Sequence, residues 1–224
     1  MAQDSQSSPA AQKPSASRGL PARILLLLVG SFVSTMGIAM TTVADLGTTP
    51  VSTIPYTLTQ FDGLTFGTNT FLINAVFLLG QILVLRSRFR LWNLLQLPAV
   101  LVFGLMLDLS MLIISPHAPA GWWGGLAMSM TGNLVLAAGI VMQIRSNTIV
   151  QPGEGIVLAI ATVLRKNFGT LKILNDFSLS VIAALIGWIV LGHVVGIREG
   201  TLISAFLIGF FVRIISRVFP EKKA

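Results

Sequence analysis

An all-α, polytopic membrane protein is the fold class this sequence predicts. Three observations carry that prediction: an apolar composition, six long apolar runs, and a sequence pattern that occurs twice in opposite settings. Hydrophobic residues make up 54% of the 224 residues, charged residues only 10%, and the mean hydropathy is +0.83. A soluble domain carries about 25% charged residues, so this chain has too little polar surface to face water on all sides. Runs of about 20 apolar residues are what a bilayer crossing needs.

In chain order, residues 1–22 are rich in Ser, Ala, Gln and Pro and show no apolar periodicity. They read as a disordered cytoplasmic tail. A full-length span follows directly, so no removable signal peptide is expected. The six apolar runs are 24–44, 66–85, 93–114, 122–144, 168–191 and 200–219. Each is long enough for a core of about 30 Å at about 1.5 Å per residue. They divide the chain into a first membrane unit, 23–116, and a second, 120–219, with a short C-terminal tail at 220–224.

The cations sort by side. Lys13, Arg18 and Arg23 precede the first run, Arg86, Arg88 and Arg90 follow the second, and Arg145, Arg165, Lys166 and Lys172 lie between the fourth run and the first turns of the fifth. Arg213, Arg217, Lys222 and Lys223 close the chain, and Arg198 alone falls on the other side. By the positive-inside rule both termini lie in the cytoplasm. The formal charge of +7 is thereby a topology signal, and no nucleic-acid partner is expected. Trp92, Trp122 and Trp123 stand at span ends, as interfacial anchors do.

The repeat has an offset of 102. Gly37 falls on Gly139, Pro50 on Pro152, Phe66-Gly67-Thr68 on Phe168-Gly169-Thr170, and Asn74 on Asp176. At an offset of 105, Gly104 falls on Gly209 and Asp108 on Arg213. Three spans per unit is an odd number, so the second unit begins on the opposite side. The units are inverted repeats, an architecture that in secondary transporters places the site at the midplane between them.

Each unit has an unusual segment between its first and second spans. Pro50 and Pro152 suit the first position of a helix, where a missing N–H costs nothing. Val51, Ile54, Leu58 and Phe61 form an apolar stripe at helical spacing. A helix over 50–61 is about 18 Å long, too short to span. Residues 45–49, extended, reach about 16 Å inward. Two arrangements stay open: re-entrant half-helices whose starts meet at the centre, or amphipathic connectors lying flat at the interfaces.

The stretch Gly37–Pro50, "GIAMTTVADLGTTP", followed by "GLTFGT" at Gly63–Thr68 and "GLMLDLS" at Gly104–Ser110, resembles the YczE/YyaS/YitT group of small bacterial membrane proteins, in particular its YczE-like branch. Val51-Ser52 stands where that group carries a Trp-Asp pair, so no role of that carboxylate transfers. The resemblance implies a multi-pass protein of the bacterial cytoplasmic (inner) membrane, of a kind presumed to transport.

Ionisable and polar groups inside spans point to function. Asp176 lies about 12 Å along its helix, near the midplane, and is the first candidate for substrate binding and proton coupling; interhelical glue is the alternative. Asn74 is its repeat mate, and Asn133 is also near mid-span. Glu154 sits in the first turn of the second half-helix, either lining a cavity or complementing the helix dipole. Thr48, Thr49, Asn147, Thr148 and Gln151 precede the half-helix starts at Pro50 and Pro152 and are placed to grip a polar or anionic solute. Asp108 is a second proton-coupling candidate, or a partner of Arg198. Gly30, Ser34, Gly37, Gly125 and Ser129 read as close-packing positions.

There are no cysteines, and His117 and His193 fall in polar connections, so neither a metal centre nor a cofactor is expected. No nucleophile–base pair or P-loop is present, so no enzyme is expected. The function expected is a small secondary transporter or facilitator of a small polar or anionic solute. A substrate-capture subunit of a larger transporter and a non-transporting accessory or scaffold protein stand as alternatives. The expected partners are the lipid bilayer and a small-molecule solute, with a homodimer as the assembly left open.

Overall fold

The computed structural model describes residues 19–218. The expected tails therefore lie outside the described residues, apart from 19–22, where the expectation needs correcting. Helix α1 begins at Leu20 and runs to Val43. Pro21 sits in its first turn, where the absent N–H has no partner to lose.

Seven further α-helices follow. They are α2 (Thr53–Leu58), α3 (Phe66–Leu85), α4 (Gln96–Ile114), α5 (Gly121–Ser146), α6 (Pro152–Leu164), α7 (Phe168–Leu191) and α8 (Glu199–Val218). Six of these eight helices, α1, α3, α4, α5, α7 and α8, are long and apolar enough to cross a membrane. The chain is a multi-pass, all-helical membrane protein.

The expected bounds of α3 and α7 agree with those observed. Both start at Phe after a side-chain cap: the Thr65 hydroxyl accepts from Thr68 N, and Asn167 accepts from Gly169 N and Thr170 N. Capping of this kind satisfies N–H groups that a helix start leaves open. The first half-helix is shorter than expected. Pro50–Ser52 form a 3-10 turn and α2 ends at Leu58. Tightening to a 3-10 turn lets Pro55 fall in the first turn of α2, where no helical N–H is lost.

At the centre α1 crosses α5. Arg23 Nε donates to Ser146 O at 2.8 Å at one end, and Gly125 faces Ala44 O at the other. The two helices are therefore antiparallel, which is the geometric content of an inverted repeat. The crossing is reciprocal. Gly30 of α1 faces Gly139 of α5, and Gly37 faces Gly132, each backbone to backbone. Without a hydrophobic drive between helices in lipid, such small-residue seams supply the packing.

The remaining helices repeat the correspondence. α4 packs on α1 as α8 packs on α5, and α3 packs on α6 as α7 packs on α2. Asp45 and Asn147, 102 apart, each take a left-handed backbone conformation, with φ of +54° and +46°, which short polar residues tolerate best. The correspondence fails at one place. α3 packs along α4, but α7 and α8 scarcely touch.

Candidate functional site: a central cavity between the half-helix starts

The two short helices start against each other. A Cβ built on Gly153 would lie 3.6 Å from Val51 Cγ1. The first half-helix is also buried along Pro50, Ser52, Thr53, Ile54, Pro55 and Thr57. These contacts favour the re-entrant arrangement over interfacial connectors. Irregular backbone at that depth is tolerated where protein or a wet cavity surrounds it.

Such a cavity is present, with a volume of about 450 Å³. That lies within the range of about 300–1,000 Å³ usual for small-molecule sites. Thr49, Pro50 and Ser52 line it from the first half-helix, and Asn147, Thr148, Gln151 and Glu154 from the second. Asn74 enters from α3 and Asp176 from α7. Ile38, Phe103, Ile140 and Ile208 provide apolar wall.

Most of the residues singled out from the sequence thus converge. Three do not. Thr48 is fully buried and shares a 2.8 Å hydrogen bond with Thr42. Asn133 is fully buried in α5, where its Nδ2 donates to Ser129 O. Both were drawn to the site by chain position, and both point into packing. Asp108 is also away from the cavity and does not meet Arg198. Its carboxylate accepts from Thr65 Oγ1 at 2.6 Å and from Gly67 N at 2.7 Å, capping the start of α3. A carboxylate there faces the positive helix end. Of the two half-helix prolines, Pro50 lines this cavity while Pro152 lies beside it, its carbonyl accepting from Gln81 Nε2.

Of the cavity residues that escaped the sequence reading, two stand out by their polar contacts. Lys172, counted there as a topology cation, has its Nζ 2.7 Å from Asp176 Oδ1 and lines the cavity. Its spacing of four from Asp176 on one helix was the available signal. Gln143 donates to Ser34 Oγ at 2.6 Å and accepts from Gln151 Nε2 at 2.8 Å, tying α1, α5 and the start of α6 together. An uncharged residue near a helix end gave no sequence signal.

The cavity extends along residues 143–151, the end of α5 and the connection to α6, on the side where α1 begins. It also runs along the gap between α7 and α8, where Ile173, Ala205, Ile208 and Gly209 line it. The matching segment of the first unit is sealed. Thr48 N donates to Gly196 O at 2.9 Å, Gly200 N donates to Leu46 O at 2.7 Å, and Arg198 pairs with Asp45 at 3.1 Å. A second seal lies beside it, where Gly67 packs directly on Gly104 under the Asp108 cap. Their counterparts are open: Gly209 has nothing within 4 Å of a Cβ position, and Gly169 meets only its own cap Asn167.

The fold and cavity define a class: a helical multi-pass membrane protein of two matched, oppositely directed halves around a polar centre. Residues 21–217 match the family of unknown function DUF6198, and the chain belongs to that family. No curated protein and no solved structure matches the chain.

Proposed function

We propose that this protein is a small secondary transporter or facilitator that moves a small polar solute through the cavity between its inverted repeats. The observation that carries the reading is a difference between the two halves: residues 143–151 line the cavity at the half-helix starts, whereas the matching residues 45–48 are packed against 196–201. In this reading the structure is one of two end states. The other forms when the halves exchange conformations, with Gly67 leaving Gly104 and Gly169 meeting Gly209. The resemblance to YczE-like proteins and the cation bias support a bacterial inner-membrane location with both termini in the cytoplasm. The side of the cavity lined by residues 143–151 is then the cytoplasmic one.

The test is efflux from proteoliposomes loaded with a mixed pool of small amines, carboxylates and polyols, followed by mass spectrometry. The expected result is loss of one class faster than from protein-free vesicles. The double variant Asn74→Leu/Ser52→Leu, which fills the cavity, is expected to abolish it. If no compound is lost above the protein-free rate, the transporter reading fails. Binding without loss favours a substrate-capture subunit instead.

A further inference from the structure

All three charged residues on the cavity wall, Glu154, Lys172 and Asp176, come from the second repeat. Their counterparts 102 residues earlier are Ser52, Thr70 and Asn74, which line the same cavity and are neutral. One wall of the site is therefore polar and uncharged, and the facing wall holds two carboxylates and one ammonium.

The ammonium is already committed, at 2.7 Å, to Asp176. Glu154 is different. Its side chain is exposed to the cavity, the charges it faces are Lys172 and Asp176, and among the described residues nothing hydrogen-bonds to it. Its position adds a second point. Glu154 occupies the first turn of α6, so the positive end of that helix, which the sequence offered to an anion, already faces a carboxylate. An anionic solute entering here would meet Glu154 and Asp176 together. A cationic solute would supply the charge this wall lacks.

We propose that the site selects a small amphipathic cation: an amine or similar monocation whose charged group docks at Glu154. Its hydrocarbon part lies against Phe103, Ile140 and Ile208. Gln143, Asn147 and Gln151, which line the same cavity, orient any further polar group. This narrows the polar or anionic solute expected from the sequence, and it rests on the transporter reading.

The experiment measures binding of butylammonium, butyrate and butan-1-ol to the purified full chain by isothermal titration. The three share one tail and differ in charge. Butylammonium is expected to bind most tightly. Glu154→Gln is expected to weaken it by roughly 10- to 100-fold, the value of a hydrogen bond to a charged group, with the ligand-free melting temperature unchanged. Glu154→Asp, which keeps the charge, is expected to retain the order of preference. Tightest binding of butyrate, equal binding of the three, binding of none, or an unaffected Glu154→Gln would each overturn the proposal. The efflux assay separates the two failures: flux of a carboxylate or polyol sinks the cation assignment and leaves the transporter standing, whereas absence of all flux sinks the transporter.

Discussion

Gly37→Leu is expected to prevent stable folding of the purified protein. A side chain at position 37 collides with the backbone of α5, at Leu136 N and Cα and at Gly132 O. Backbone atoms within a helix cannot rotate away as a flexible side chain can. α1 must therefore lift from α5, and because the seam is reciprocal, lifting also separates Gly139 from Ser34 and Gly30. Overpacking alone costs about 1–3 kcal/mol. Loss of the central crossing adds to that and places the change among the exceptional cases above about 4 kcal/mol. At roughly 2–4 °C per kcal/mol for a chain of this size, a protein that folds at all should melt at least about 10 °C lower. Gly209→Ala serves as the control, because a methyl group there meets nothing within 4 Å. Its melting temperature should stay within a few degrees of wild type. A monodisperse Gly37→Leu protein with an unchanged melt would show that α1 and α5 do not cross as described.

The repeat was legible because inverted duplication leaves equal spacings, and Phe-Gly-Thr at 66 and 168 marks the same capped helix start. The glycines at 30, 37 and 139 were legible as small residues in apolar runs. Gly132 was equally legible and passed over, although it sits 102 residues after Gly30 and faces Gly37. Side-chain direction was the harder property. Thr48 and Thr49 are neighbours, yet only Thr49 lines the cavity. The extended chain before the half-helix turns successive side chains opposite ways, and position along the chain does not say which way is inward. Asp108 shows the same limit in another form. Its depth in α4 was readable, but its partner is the start of α3, 41 residues back at Gly67, and such a pairing is set by packing. The asymmetry between the halves was legible only as the exchange of Asp108 for Arg213 at matching positions. Gly67 and Gly169 occupy the same place in the pattern, and the pattern does not say which of them is packed.

That asymmetry carries the second large effect. The chain has no cysteine, so Gly169→Cys and Gly209→Cys can be introduced as a single oxidisable pair. In this structure a disulfide between them is not expected, because α7 and α8 scarcely touch and neither glycine meets the other helix. If the halves exchange, the pair comes as close as Gly67 and Gly104 are now, and oxidation should trap it and stop solute flux. Asp108 is expected to set the balance of that exchange. Its carboxylate holds the closed seal through Thr65 and the Gly67 amide, and charged hydrogen bonds contribute about 1.5–3 kcal/mol. Asp108→Asn should therefore raise the population of the exchanged state by roughly 10- to 100-fold, with faster cross-linking to match. The second repeat has no equal clasp, since Arg213 stands where Asp108 does and a cation near the start of α7 would oppose the helix dipole. In the transporter reading, closing that seam is expected to be the uphill direction. If the two introduced thiols stay reduced under oxidant, in both the parent and the Asp108→Asn background, the open seam is a fixed feature and the halves do not exchange.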